Sequence, residues 1–159
     1  MCSSDLFVSS FAPKPKMFVF GAIDFASAVA RVGKFLGYYV VVCDARAIFA
    51  TPKRFPDADE VVVDWPHRWL STQKVDSRTV ICVLTHDPKL DDPALVAALR
   101  SKAFYIGALG SRKTHARRLE RLAALGFGPA DTARIHGPVG LDINAIMPSE
   151  IAEIGRAHV

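Results

Sequence analysis

Five short apolar runs, each closed by a glycine or an acid, alternate along this chain with stretches of helical period. That alternation narrows the fold more than any single motif does. The runs are Met17 to Phe20, Tyr38 to Asp44, Glu60 to Asp64, Thr79 to Asp87 and Ala103 to Gly110, and their β-branched and aromatic content marks them as strands. Arg134 to Ile143 adds a short strand and loop. Between the first two runs, Ile23 to Leu36 is helical, with Phe25, Val29, Val32 and Leu36 on one stripe. A second stripe of small residues, Ala22, Ala26, Ala30, Gly33 and Gly37, suits a helix lying close on a sheet, with Gly37 as its stop. Asp91 to Lys102 reads as a helix with Pro93 near its first turn and Leu95, Val96 and Leu99 facing inward. Ser111 to Leu125 reads as another, capped by Gly110 or Ser111 and stopped at Gly126; Pro148 opens a last one. Strands that are apolar throughout, alternating with helices, predict an α/β fold. The expected form is Rossmann-like and three-layered, with a mostly parallel sheet covered by helices on both faces.

A sheet of this kind binds ligands in the crevice at the carboxyl ends of its strands. That rule selects the segments that bear function. In a dinucleotide-binding turn, G-x-G-x-x-G/A, the first glycine makes the turn, the second admits a pyrophosphate and the third allows close packing. Here Gly21 and Ala26 fill the first and third roles, but Ile23 obstructs the second. Asp24 adds a negative charge where a helix dipole attracts phosphate, so "GAIDFA" reads as a structural turn before it reads as a pyrophosphate cradle. Asp44 ends the second strand at the place of a ribose-binding acid, and Arg46 can pair with it or meet a phosphate.

"GALGSRKTHARR" is more informative. Gly107 and Gly110 frame a turn into a helix whose first turn carries Ser111, Arg112 and Lys113. Cations at that end oppose the dipole unless an anion sits there, so the segment predicts an anion cradle. Arg117, Arg118 and Arg121 extend a basic helix face, which on its own reads as a solvated surface. Thr85, His86 and Asp87 end the fourth strand with a hydroxyl, an imidazole and a carboxylate, suited to proton transfer, ligand hydrogen bonds or a plain turn before Pro88. His136, Gly140 and Asp142 lie in a loop that closes over a bound group or simply connects two elements. The chain shows no Ser-His-Asp order and no zinc-type spacing, so catalytic and metal-ligating residues are not expected.

Composition bounds the rest. A chain of 159 residues, half of them hydrophobic, fits one domain with a real core. No run is long enough to span a bilayer and no secretory signal is visible, so a cytoplasmic protein without membrane partners is expected. Cys43 and Cys82 sit in apolar runs, as small buried hydrophobes do. A net charge of +4 permits an anionic ligand without arguing for nucleic acid. Both ends read as translated sequencing adapters: "MCSSDL" at the start and "IGRAHV" at the finish. Residues 1–15 are therefore expected to be scar plus linker from a missing N-terminal domain, residues 16–153 the Rossmann-like domain, and residues 154–159 an adapter-derived tail.

Three stretches carry a resemblance: "ADEVVVDWPHRWL", the long run through "YIGALGSRKTHARRLERL", and "RIHGPVGLDINA". They resemble the C-terminal Rossmann-type domain of the XdhC/CoxI accessory proteins, over about Lys16 to Ala152. The chain departs from that family's usual pattern at "GAIDFA", where GAGHVA is common. It departs again at Asn144, Ile146 and Met147, where GLDIGART is common. The resemblance implies a non-catalytic accessory role in maturing molybdenum hydroxylases such as xanthine or carbon monoxide dehydrogenase. It implies molybdenum cofactor (molybdopterin) as the ligand, with aid to its sulfuration and insertion. The implied partners are an apo molybdenum hydroxylase and a sulfur-donating cysteine desulfurase, with a homodimer as a further option. An NAD(P)-binding oxidoreductase, using NAD(P) or another nucleotide, is the alternative that the fold suggests, and a docking module using the arginine face is a third.

Overall fold

The computed structural model describes residues 12–139. The elements run β1 (Lys16–Phe20), α1 (Asp24–Phe35), β2 (Tyr39–Asp44), β3 (Glu60–Val63), α2 (Pro66–Ser71), β4 (Val80–Val83), α3 (Pro88–Leu99), β5 (Tyr105–Ala108), α4 (Arg112–Ala124), α5 (Pro129–Thr132) and β6 (Ile135–His136). All strand pairs are parallel, in the order β3-β2-β1-β4-β5-β6. This is the doubly wound Rossmann arrangement, as the alternation of apolar runs predicts. The order reverses between β1 and β4, where Phe20 pairs with Val83 and the Leu84 N–H donates to the Phe20 carbonyl at 2.8 Å.

Two apolar layers flank the sheet. On one side Val19, Val40 and Val42 pack under α1 through Ala26, Ala30 and Gly33. The small-residue stripe is thus the one that faces the sheet, and a Cβ on Gly33 would lie 2.5 Å from Met17 Sδ. The larger stripe is half-buried at Phe25, Val29 and Val32, and Leu36 is exposed. Gly37 closes α1 at φ +85°, a left-handed turn that glycine adopts without strain. On the other side Phe18, Phe20, Ile81, Val83 and Ile106 meet α2, α3 and α4, with Trp69 edge-on to Phe18 at 4.9 Å between ring centres.

Three differences from the sequence reading have local causes. α3 begins at Pro88, not Asp91, because the Asp87 carboxylate accepts from the Lys89 N–H at 2.9 Å and Pro88 takes a first-turn position that needs no N–H. Pro93 therefore lies deeper in the helix than its first turn. The short helices α2 and α5 were not expected from the sequence. Gly140, Asp142, the helix expected after Pro148 and both adapter-like ends lie outside the described residues.

Candidate functional site

The carboxyl edge of the sheet gathers most of the predicted site residues. Gly21, Ala22 and Asp24 follow β1; Asp44 and Arg46 follow β2; Thr85, His86 and Asp87 follow β4. Gly110, Ser111, Arg112 and Lys113 follow β5, and Gly107 and His136 face each other in register across β5 and β6.

At the β1–β2 end the polar groups satisfy one another. Asp44 is wholly buried, and its Oδ2 accepts from the Ala22 N–H at 2.7 Å and from Arg46 Nη2 at 2.7 Å. Its Oδ1 accepts from Arg46 Nε and from the Arg46 backbone N–H, both at 2.9 Å. Burial pushes the Asp44 carboxyl up, but the hydrogen bonds from Arg46 and Ala22 outweigh it and hold the group below the usual carboxylate range. The Gly21 N–H donates to the Cys43 carbonyl at 3.0 Å. A Cβ on Gly21 would lie 2.6 Å from Thr85 Cγ2, so this glycine packs the turn closely against the end of β4, while Ile23 stands where a Rossmann turn carries the glycine that admits a pyrophosphate. Arg54 closes the outer side. It donates to the Ala22 carbonyl at 3.1 Å and to Asp24 at 3.2 Å, above a hollow of about 200 Å³ lined by Ile23, Asp24, Ser27 and Phe55.

The β5–α4 end is organised differently. Gly110 has φ +141°, and Ser111 caps α4 by accepting from the Thr114 N–H at 3.1 Å. Arg112 and Lys113 lie exposed on the first turn. Asp87 is the α3 cap, and His86 is exposed beside it. Gly107 is shielded by Tyr105 and Val139, and Tyr105 stacks on His136 at 4.6 Å between ring centres.

The basic face of α4 needs a correction. Arg117 is exposed, but Arg118 is 1% exposed and bonds Leu109 and Asp91, while Arg121 holds Asp92 through two hydrogen bonds of 2.5 and 2.9 Å. Two of the three arginines are thus tied to α3, Arg118 buried and Arg121 half-buried. Asp91, His115, Arg118 and Arg54 were missed as site residues. The signal was present for two of them: Asp91 shares a helical stripe with Ala94, Leu95 and Ala98, and Arg118 one with Leu122, so opposite charges stand at core positions of successive helices.

Burial pushes the Cys43 and Cys82 thiols up to about 12, which leaves them unreactive hydrophobes. A larger cleft of about 750 Å³ lies away from the crevice. It runs between α2 and α3 along Leu70, Val75, Pro93, Val96 and Ala97. Among the described residues no group of three or more His, Cys, Asp or Glu is gathered for a metal, and no helix is long and apolar enough to cross a membrane.

Comparison with known proteins places this arrangement. The family model of the XdhC Rossmann domain matches residues 17–154. The chain is 31% identical to a Bacillus subtilis protein named as a probable xanthine dehydrogenase subunit, over 94% of this chain and 43% of that protein. It is 35% identical to the Escherichia coli molybdenum cofactor insertion chaperone PaoD, over 56% of this chain and 30% of that one. A solved structure described as a xanthine dehydrogenase from Bacillus halodurans superimposes with a TM-score of 0.77 at 32% identity, covering 90% of this chain and 40% of that one. The chain spans less than half the length of each of these relatives.

Proposed function

This chain belongs to the family of XdhC Rossmann domains, and from that premise we propose that it is an accessory domain for molybdenum hydroxylase maturation. It holds the phosphate of molybdenum cofactor in the crevice, aids sulfuration of the cofactor and passes it to an apo xanthine or carbon monoxide dehydrogenase in the cytoplasm. A sulfur-donating cysteine desulfurase is the second partner. The bound cofactor supplies the molybdenum centre; this chain's residues bind and orient it, and none of them is assigned a catalytic step. The family tie to a molybdenum cofactor insertion chaperone supports the reading at the level of role.

One structural observation carries the site. The turn from β5 into α4 ends in a capped helix N-terminus with Arg112 and Lys113 on its first turn, at the carboxyl edge of the sheet. First-turn N–H groups have no partner within the helix, and the dipole there favours an anion. Gly110, Ser111, Arg112 and Lys113 would hold the phosphate, with Thr85, His86 and His136 along the walls. The residues present fit a phosphate at this end better than at "GAIDFA", where Ile23 stands in place of the second glycine, Asp24 adds a negative charge and Asp44 already holds the Ala22 N–H.

The test is cofactor retention in R112A/K113A. Each charge-assisted contact contributes roughly 1.5–3 kcal/mol, so retention is expected to fall by at least tenfold. Unchanged retention sinks the reading. The NAD(P) oxidoreductase alternative draws on the strand order alone; saturable NAD binding at the first turn would revive it.

A further inference from the structure

We infer that Asp91 and Arg118 form a positioning pair for the crevice, buried beneath it and holding its loops in fixed register. The inference rests on the crevice being the ligand site. Arg118 is 1% and Asp91 3% exposed. Arg118 Nη2 donates to the Leu109 carbonyl at 2.8 Å, just before the Gly110 turn, and to Asp91 Oδ2 at 3.3 Å. Asp91 Oδ1 accepts from the Thr85 hydroxyl, and the Thr85 methyl sits against Gly21. On the far side Arg118 Nη1 lies 3.5 Å from His115 Nδ1, and the His115 ring covers Gly137, where a Cβ would lie 2.3 Å from Nδ1. A guanidinium only donates, so this approach favours Nδ1 as acceptor and puts the ring proton on Nε2. From one guanidinium, contacts reach the loops after β1, β4, β5 and β6.

Stability alone does not account for such a pair. Desolvating two charges offsets most of their attraction, and apolar replacements of similar volume are often neutral or stabilising. Arg118 Nε is buried without a partner, so the side chain is not placed to saturate its own donors. What the pair does is tie Leu109 to Thr85 through Arg118 Nη2 and Asp91, while Nη1 of the same rigid plane holds His115 in place. His115, Thr85 and Gly137 are then walls whose positions depend on it.

The double substitution D91L/R118M separates positioning from stability in the full chain. The thermal midpoint is expected to stay within about 5 °C of wild type. Amide hydrogen exchange at Thr85 and across Gly110 to Thr114 is expected to quicken by about tenfold or more, while Val19, Val41 and Ile81 in the strands keep their protection. Inorganic pyrophosphate, used as the probe, is expected to bind about tenfold more weakly. Unchanged exchange in those loops, with the midpoint held, overturns the inference. Should the double variant fail to fold, R118K keeps the charge without the fork and is expected to loosen the same amides; wild-type protection in R118K is equally fatal. Absence of pyrophosphate binding in the wild type counts against the proposed function, while the exchange measurement still decides the role of the pair.

Discussion

At Gly21 the backbone takes φ +107°, and a Cβ would lie 2.6 Å from Thr85 Cγ2, 3.0 Å from the Thr85 backbone nitrogen and 3.2 Å from the Leu84 carbonyl carbon. Two of those neighbours are backbone in the central β4 connection and cannot swing aside. Gly21→Ala therefore combines left-handed strain with overpacking and is expected to lower stability by more than about 2 kcal/mol in urea unfolding. A loss under about 0.5 kcal/mol would show that the turn relaxes freely. Gly137 is tight for another reason: its neighbour is the His115 ring, a side chain that can move. Gly137→Ala alone is expected to cost about 1–2 kcal/mol, and most of that should vanish against a His115→Ala background in a double-mutant cycle. Additive losses would place the strain elsewhere. That Gly21 makes a turn was legible in the sequence, since a glycine after an apolar run and before a helix has few other uses. Its packing partner was not, because Thr85 comes from a distant strand that only the sheet order brings alongside.

The elements differ in how far sequence revealed them. β1, β2, β4 and β5 were legible because each is a continuous apolar run, the mark of a strand covered on both faces. α2 and α5 are six and four residues long, too short to show a period. Asp87-Pro88 is a turn signal and a helix start at once, and only the bond from the Lys89 N–H decides between them. α4 shows the deeper limit. Its arginines look like one solvated face, yet Arg118 turns inward because Asp91 on α3 awaits it. Burial, and then the nearby Arg118 charge, push the His115 imidazole below its ordinary 6.5. The folded chain thus keeps His115 neutral while the unfolded chain takes a proton. This contribution is complete above about pH 6.5 and is lost as pH falls from there toward the folded value. Unfolding free energy measured from pH 7.5 to 5 should fall more steeply in wild type than in His115→Gln, and parallel slopes would refute it. Asp44 acts in a separate window, since its depressed carboxyl gives up stability only at more acid pH, as protons displace Arg46 and Ala22 from it.

Across the whole molecule, the crevice has two ends of unlike character, and they make opposite predictions about where an anion lands. The β1–β2 end is closed on itself: Asp44 is saturated by Arg46 and Ala22, and Arg54 is spent on Ala22, Phe49 and Asp24. A ribose or pyrophosphate there would first have to displace Arg46, itself exposed, from the buried Asp44 carboxylate and then approach the carboxylate of Asp24. The β5–α4 end offers a helix N-terminus with Arg112 and Lys113 exposed upon it. Sequence pointed to the crevice, because open parallel α/β sheets bind ligands at the carboxyl ends of their strands. It could not rank the ends so sharply, because the bonds that Asp44 makes to Arg46 and to the Ala22 N–H are products of folding. Titrating pyrophosphate into isotopically labelled protein should therefore shift the amides of Gly110 to Thr114, with Gly21 to Asp24 moving least. Because the cations involved are exposed, the effect should shrink markedly from low to high ionic strength, as the screening length falls from roughly 30 Å at 0.01 M to 3 Å at 1 M. Shifts centred on Gly21 to Asp24, or shifts indifferent to salt, would move the anion site back to the first turn and with it return the nucleotide-binding reading to first place.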